Sequence, residues 1–359
     1  MENFTAHQLH FTCEVHTPIL LNEHQGSAIR GALFHALRGQ FCFNKEVKSC
    51  GHCPLSATCP ICFLVATRDP QSKRGVEVPR PYTIEPPLER MDESTSQRMG
   101  ESASQRMGER KFVNSPIRRY EPGEILEFGL SMFAQALNLF PYVVLGSQAL
   151  ERGGVGKRIN ESANRRRGRG RRRGTFVIRE IAAVNSLTGE RQPVLRQGDS
   201  LVQVPDVPIT HQQVLQRANE LAARITDRLT IEFRTPMRLI QRKHLVKEIS
   251  FSPLFHRLME RLSSLAGQYC DTPLDLDWRG TLLPLADKVE TVEDHTRWVE
   301  LESYSTRKRG RTPTSGLLGW VTFRADDWTP FLPWLVWGEV VHVGKDAVKG
   351  NGWYVMREA

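Results

Sequence analysis

From Gln8 onward, residues 7–16 alternate between polar and apolar side chains. Leu9, Phe11, Cys13 and Val15 fall on one side, and Gln8, His10, Thr12, Glu14 and His16 on the other. A period of two predicts a half-buried strand, and Pro18 helps to end it. The period then changes. In QGSAIRGALFHALRG, Ile29, Leu33 and Leu37 recur at helical spacing, with Ala32 and Ala36 filling the stripe. Ser27 is the expected N-cap and Gly39 the expected stop. Arg38 stands opposite the stripe on a helical wheel and His35 shares its polar side, so His35 is predicted to lie outside the core.

The rest of the chain continues these two periods. VEVPRPYTI (76–84) reads as extended, ILEFGLSMF (125–133) as a strand, 141–152 as a helix ended by Gly153-Gly154, and TFVIREIAAV (175–184) as a strand. The order β-α-β-β-α-β is that of a ferredoxin-like domain, as in RNA-recognition modules. LVQVPDVPIT (201–210), with two prolines, reads as a linker, and 211–225 as a connecting helix.

The plan then repeats. LTIEFRTPMRLI (229–240) is a strand, and SPLFHRLMERLSSLAGQY (252–269) a helix capped by Ser252 with Leu254, Leu258, Leu262 and Leu265 as its stripe. Extended segments are expected near 275–283, 296–304 and 317–324, a short helix at 328–339, and a last strand at GWYVM. The prediction is an α+β protein of two tandem ferredoxin-like domains, 1–205 and 206–359. The first carries a Cys-rich insertion (42–66), a loop (90–110) and an Arg-rich loop (157–174). The 90–110 loop contains a tandem copy, ESTSQRMG then ESASQRMG, with no apolar face to bury.

Composition adds little to the fold but changes the functional picture. The 359 residues suit two domains, and no apolar run reaches membrane-spanning length. The N-terminus lacks the order of a signal peptide, so a soluble, cytoplasmic protein is expected, with no membrane partner. Net charge is +9, yet RRRGRGRRRG (165–174) alone holds seven arginines, and without them the chain would be +2. Such a local patch, beginning with Arg165, Arg166 and Arg167, points to a polyanionic partner, foremost nucleic acid.

Four of the seven cysteines stand as Cys50-x2-Cys53-x5-Cys59-x2-Cys62, with Cys42 and His52 as substitute ligands. Paired CxxC knuckles suit one tetrahedral thiolate site, so a structural zinc is expected, with an iron–sulfur cluster as the alternative. Four thiolates leave no open position, which argues against a zinc-dependent catalyst.

The last motif is VVHVGKDAVKGNGWYVM (340–356). Gly344, Gly350 and Gly352, with Lys345 and Lys349, form a loop before a strand. A dinucleotide fingerprint would follow a strand and open a helix. Glycines allow close approach of backbone to ligand, and an RNA backbone is the expected ligand.

Several stretches, in order, resemble the CRISPR-associated RAMP superfamily, in particular the endoribonucleases that process CRISPR precursor RNA. They are GSAIRGALFHALRGQFC with its downstream cysteines, RTPMRLI followed by FSPLFHRLMERLSSLAGQY, YSTRKRGRTPTSGLLGWVTF, and HVGKDAVKGNGWYV. Many relatives place a hydroxyl residue inside the Gly-rich loop, where this chain reads Asp346-Ala347-Val348. The resemblance implies CRISPR repeat RNA as partner, other CRISPR effector subunits as further partners, and cleavage without a catalytic cofactor. A base would take the 2′-OH proton beside the scissile phosphate, leaving a 2′,3′-cyclic phosphate and a 5′-OH. The resemblance puts that base on or near the first helix. His35 ranks first and His24 second, with Tyr304 assisting proton transfer. His10, His16, His256 and His342 are expected to be structural or RNA-contacting. Arg30, Arg38, Arg307, Lys308, Arg309 and Arg311 are candidate phosphate contacts. The superfamily also includes subunits that hold RNA without cutting it, which is the competing expectation.

Overall fold

A computed structural model describes residues 1–47, 50–66, 78–87, 118–159, 172–270, 272–305 and 310–358. The N-terminal half runs β1 (Ala6–Val15), α1 (Gln25–Phe41), α2 (Pro60–Ala66), β2 (Tyr82–Glu85), β3 (Ile125–Phe133), α3 (Phe140–Gly153), β4 (Phe176–Val184) and β5 (Arg191–Arg196). Its antiparallel sheet has the order β2-β3-β1-β4-β5. The alternation read in β1 is the burial pattern observed: Leu9, Phe11, Cys13 and Val15 are buried. Phe11 pairs with Phe128 across the sheet, their rings stacked at 4.6 Å. Helices α1 and α3 cover this face through Ile29, Leu33, Leu37, Val143 and Leu150. They approach closely at Gly146, where a Cβ would lie 2.7 Å from Leu37 Cδ2.

The C-terminal half repeats the plan after α4 (His211–Ala222): β6 (Arg228–Met237), α5 (Phe251–Tyr269), β7 (Glu290–Asp294), β8 (Gly316–Arg324), α6 (Leu332–Val341) and β9 (Tyr354–Glu358). Its sheet order is β7-β8-β6-β9. Taking the strands of each domain as first to fourth, both sheets contain the order 2-3-1-4, all antiparallel. These are two tandem ferredoxin-like folds. The Leu254, Leu258, Leu262 and Leu265 stripe of α5 is fully buried against Ile231, Val321 and Phe323.

The prolines of the linker do not set it free. Ala6 and Ile209 exchange both backbone hydrogen bonds, at 3.0 and 2.8 Å, and Asn185 Nδ2 donates to Pro208 O. Thr210 then caps α4 in a capping box with Gln213.

Several boundaries differ from those the sequence predicts. Helix α1 begins at Gln25, ahead of Ser27, because Gln25 and Gly26 are buried where the domains meet; it runs past Gly39 because the Phe41 ring packs on Tyr142. Ser250, not Ser252, occupies the N-cap of α5, since Phe251 is drawn into a cluster with Phe255, Phe323, Trp328 and Phe331. The segment near 275–283 is not extended. Asp277 Oδ1 accepts from Gly280 N, and buried Trp278 donates to Ser263 Oγ, so two short helices form (Trp278–Thr281, Leu283–Ala286). The tandem copy and most of the Arg-rich run lie outside the described residues. Among the described residues, no helix is long and apolar enough to cross a membrane.

Candidate functional site

Helix α1 carries both histidines singled out from the sequence, but at opposite ends. His24 is its N-cap residue and His35 lies eleven residues on. At about 1.5 Å per residue the two are separated by ~16 Å along the axis. They cannot serve the same phosphate.

His24 is buried at the junction of the domains. Its Nε2 lies 3.1 Å from the hydroxyl of Thr314, and Asn351 Nδ2 donates to the Thr314 carbonyl. Burial lowers its pKa, and Lys349 adds to that effect against Glu23 and Asp346. It lines a cleft together with Gly26, Pro86, Arg234, Lys349 and Asn351.

The Gly-rich loop forms the other wall. Gly344, Gly350 and Gly352 all have positive φ (87°, 90° and 72°), so glycine is required there. The close approaches it permits are to the protein itself. A Cβ would fall 2.5 Å from Arg238 O at Gly344, 2.8 Å from Ile84 O at Gly350 and 1.7 Å from Val343 O at Gly352. The amides are engaged too: Lys345 N donates to Arg238 O, Gly350 N to Ala347 O and Gly352 N to Pro236 O. Lys349 is paired with Asp346 at 2.8 Å, in the stretch where relatives carry a hydroxyl residue. The loop is therefore a keystone between the domains, with exposed Lys345 as its outward charge.

His35 stands on the outer side of α1, as the wheel predicts. Partial burial, then the charges of Arg173, Arg38 and Arg30, lower its pKa from the ordinary histidine value. A neutral imidazole among three guanidiniums is thus the resting state at neutral pH. Arg38 Nη2 also donates to the carbonyls of Lys45 and Val47, and Arg30 Nη2 to Val65 O, so both are braced by the Cys-rich insertion. Arg173 arrives on a separate hairpin, Val155–Ile159 with Arg172–Gly174. That hairpin is seated by Gly174, where a Cβ would lie 2.1 Å from Pro18 O.

The remaining candidates divide. Arg165, Arg166, Arg167, Arg307, Lys308 and Arg309 lie outside the described residues, and of Tyr304 only the strand Glu302–Ser305 is described. Arg311 pairs with Glu302 on the surface. His342 is fully buried and stacked on Trp353, so it is a core residue. His256 packs by Trp278 and Glu260. His16 is exposed, and His10 sits on the polar face of β1. Cys50, Cys53, Cys59 and Cys62 line one small cavity with Cys42 and Asn44. Sequence reasoning passed over Gly26, Thr314 and Asn351, whose roles exist only once the domains dock; Arg173 was visible as part of the arginine run.

Two family models match the chain. One, described as an N-terminal domain, covers residues 4–207; the other, described as CRISPR-associated endoribonuclease Cas6, covers residues 231–354. Over residues 231–354 the C-terminal domain matches the Cas6 family of CRISPR-associated RAMP proteins. No curated protein matches it. Among solved structures, a Cas6 product complex is similar at 12% identity with a TM-score of 0.51, covering 98% of this chain and 99% of that one. A partial Cas6-RT-Cas1–Cas2 complex is similar at 11% identity with a TM-score of 0.54, covering all of this chain, which spans about half (47%) of that one. At such identities the likeness is one of fold, and it extends over both ferredoxin-like halves of this chain.

Proposed function

We propose that this RAMP protein is a metal-independent endoribonuclease that cuts CRISPR precursor RNA within its repeats and keeps hold of the product. The observation that carries the reading is His35 on α1, with its pKa lowered among Arg30, Arg38 and Arg173. The guanidiniums draw a phosphate to the helix and balance the charge that grows on its oxygens. The neutral imidazole accepts the proton of the neighbouring 2′-OH. The 2′-oxygen attacks phosphorus, the bond from phosphorus to the 5′-oxygen breaks, and the imidazolium returns its proton to that oxygen. The products are a 2′,3′-cyclic phosphate and a 5′-OH. RNA is required because DNA lacks the nucleophile. Nothing in these steps calls for a metal ion.

His24 takes a different part: locked against Thr314, it holds the mouth of the cleft through which the RNA strand passes toward His35. The repeat is read by shape and flanking bases, and the Arg-rich loop grips phosphates. The test is cleavage of a repeat RNA by wild type and His35→Ala, with end-group analysis of the fragments. Cyclic phosphate ends that vanish in the variant, with RNA binding retained, support the proposal. Tight binding with the RNA left whole by the wild type would instead make this a non-catalytic RAMP subunit.

A further inference from the structure

The segment between Cys42 and Pro60 contributes no buried side chain among its described residues, and Phe43 is 90% exposed. Hydrophobic burial therefore cannot hold it in place. Yet it is not loosely attached in the structure: the Lys45 and Val47 carbonyls receive Arg38, at 3.1 and 2.5 Å, on the outer face of α1. Short segments without a core of their own are held by a crosslink, either a disulfide or a metal. The two CxxC pairs, Cys50/Cys53 and Cys59/Cys62, are the donor spacing of a tetrahedral thiolate site, which favours the metal.

The thiols are placed for one. Cys50 lies on a single helical turn (Cys50–His52), Cys53 just beyond it, Cys59 immediately before α2 and Cys62 in its first turn. Cys50, Cys53, Cys59 and Cys62 all line one small cavity beside α1, so the four side chains face a common space. A zinc–sulfur bond of about 2.3 Å in a tetrahedron would set neighbouring sulfurs ~3.8 Å apart. Asn44 Nδ2 donates to Cys53 Sγ at 3.4 Å, the outer contact expected of a thiolate ligand. Among the described residues no His, Cys, Asp or Glu group is already closed into a metal-ligand arrangement, so loading has to draw the sulfurs inward.

We propose that Cys50, Cys53, Cys59 and Cys62 bind one zinc ion through four thiolates, and that this ion clamps the insertion onto α1. Cys42 and His52 stay outside the set. The ion has no open position and is structural. Its effect on RNA runs through the braces on Arg38 and Arg30, whereas the cleavage chemistry itself is independent of it.

The test is metal analysis of the full-length protein, purified under reducing conditions after growth in zinc-supplemented medium and then desalted. One zinc per chain is expected. Titration with a mercurial, followed with a zinc-sensing dye, should release that zinc as four thiols react. The Cys59→Ser/Cys62→Ser variant should retain less than a tenth of it. Zinc absent from the wild type, release unrelated to thiol reaction, or iron with sulfide and visible absorption would each overturn the proposal. Because the readout is stoichiometry, it stands apart from whether the protein cuts RNA.

Discussion

Gly26, in the first turn of α1, faces the carbonyl oxygen of Lys349 in the Gly-rich loop so closely that a Cβ would lie 2.1 Å from it. That contact joins the two ferredoxin-like domains at the mouth of the cleft. Alanine is a better helix former than glycine, so propensity alone favours Gly26→Ala. We expect the opposite: a loss of about 1–3 kcal/mol from overpacking, measured by denaturant unfolding, together with weaker RNA binding. A variant as stable as the wild type would mean that the docking is loose.

The two histidines of α1 should separate cleanly. His35→Ala should lower single-turnover cleavage by about 10²–10⁴ with no change in melting temperature. His24→Ala breaks the contact with Thr314 and should destabilise the protein by about 1–3 kcal/mol, with a smaller loss of rate. The reverse pattern would move the base to the cleft.

The depressed pKa of His35 has a sign that can be checked. A base is active when unprotonated, and partial burial, then the charges of Arg173, Arg38 and Arg30, oppose its protonation. Single-turnover rates should therefore rise with pH through a pKa below that of free histidine and be level above it. Arg173→Ala should move this rise toward higher pH, and should also weaken binding and reduce its salt dependence by about one phosphate contact.

His342 gives a second pH effect, on stability. It is fully buried, and burial followed by the charge of Arg261 pushes its pKa down to about 3. The unfolded chain binds a proton at this residue below the ordinary histidine pKa, whereas the folded chain does not until about pH 3. Its contribution is present at neutral pH and is lost as pH falls through that window. His342→Phe keeps a ring on Trp353 and should remove about 1.4 kcal/mol per pH unit of acid sensitivity between pH 4 and 6, read from urea unfolding. An unchanged slope would show that His342 is not the proton-sensitive group.

Much of this fold is legible in the chain because each element carries its own period. The alternation of β1 and the leucine stripe of α5 are visible without any partner. What the sequence hides is docking. Ser27 and Ser252 look like caps, yet Gly26 and Phe251 are claimed by distant neighbours, and tertiary packing sets the helix starts. The same holds for the site. His35 is legible as a polar residue on an amphipathic helix, but the pairing of His24 with Thr314, far apart in sequence, is not. The Gly-rich loop was legible as a backbone that comes close to something; only the structure shows that the something is Arg238, Ile84 and Val343.

The proposed cleavage requires the ribose hydroxyl as nucleophile. It is tested most directly by pairing a repeat RNA with the same RNA carrying one 2′-deoxy nucleotide at the cut, both with excess EDTA added at the start of the reaction. The all-ribose strand should be cleaved to a 2′,3′-cyclic phosphate, and the deoxy strand should bind equally well and stay whole. Cleavage of the deoxy strand, or cleavage of the all-ribose strand that is restored only by added magnesium, would contradict it.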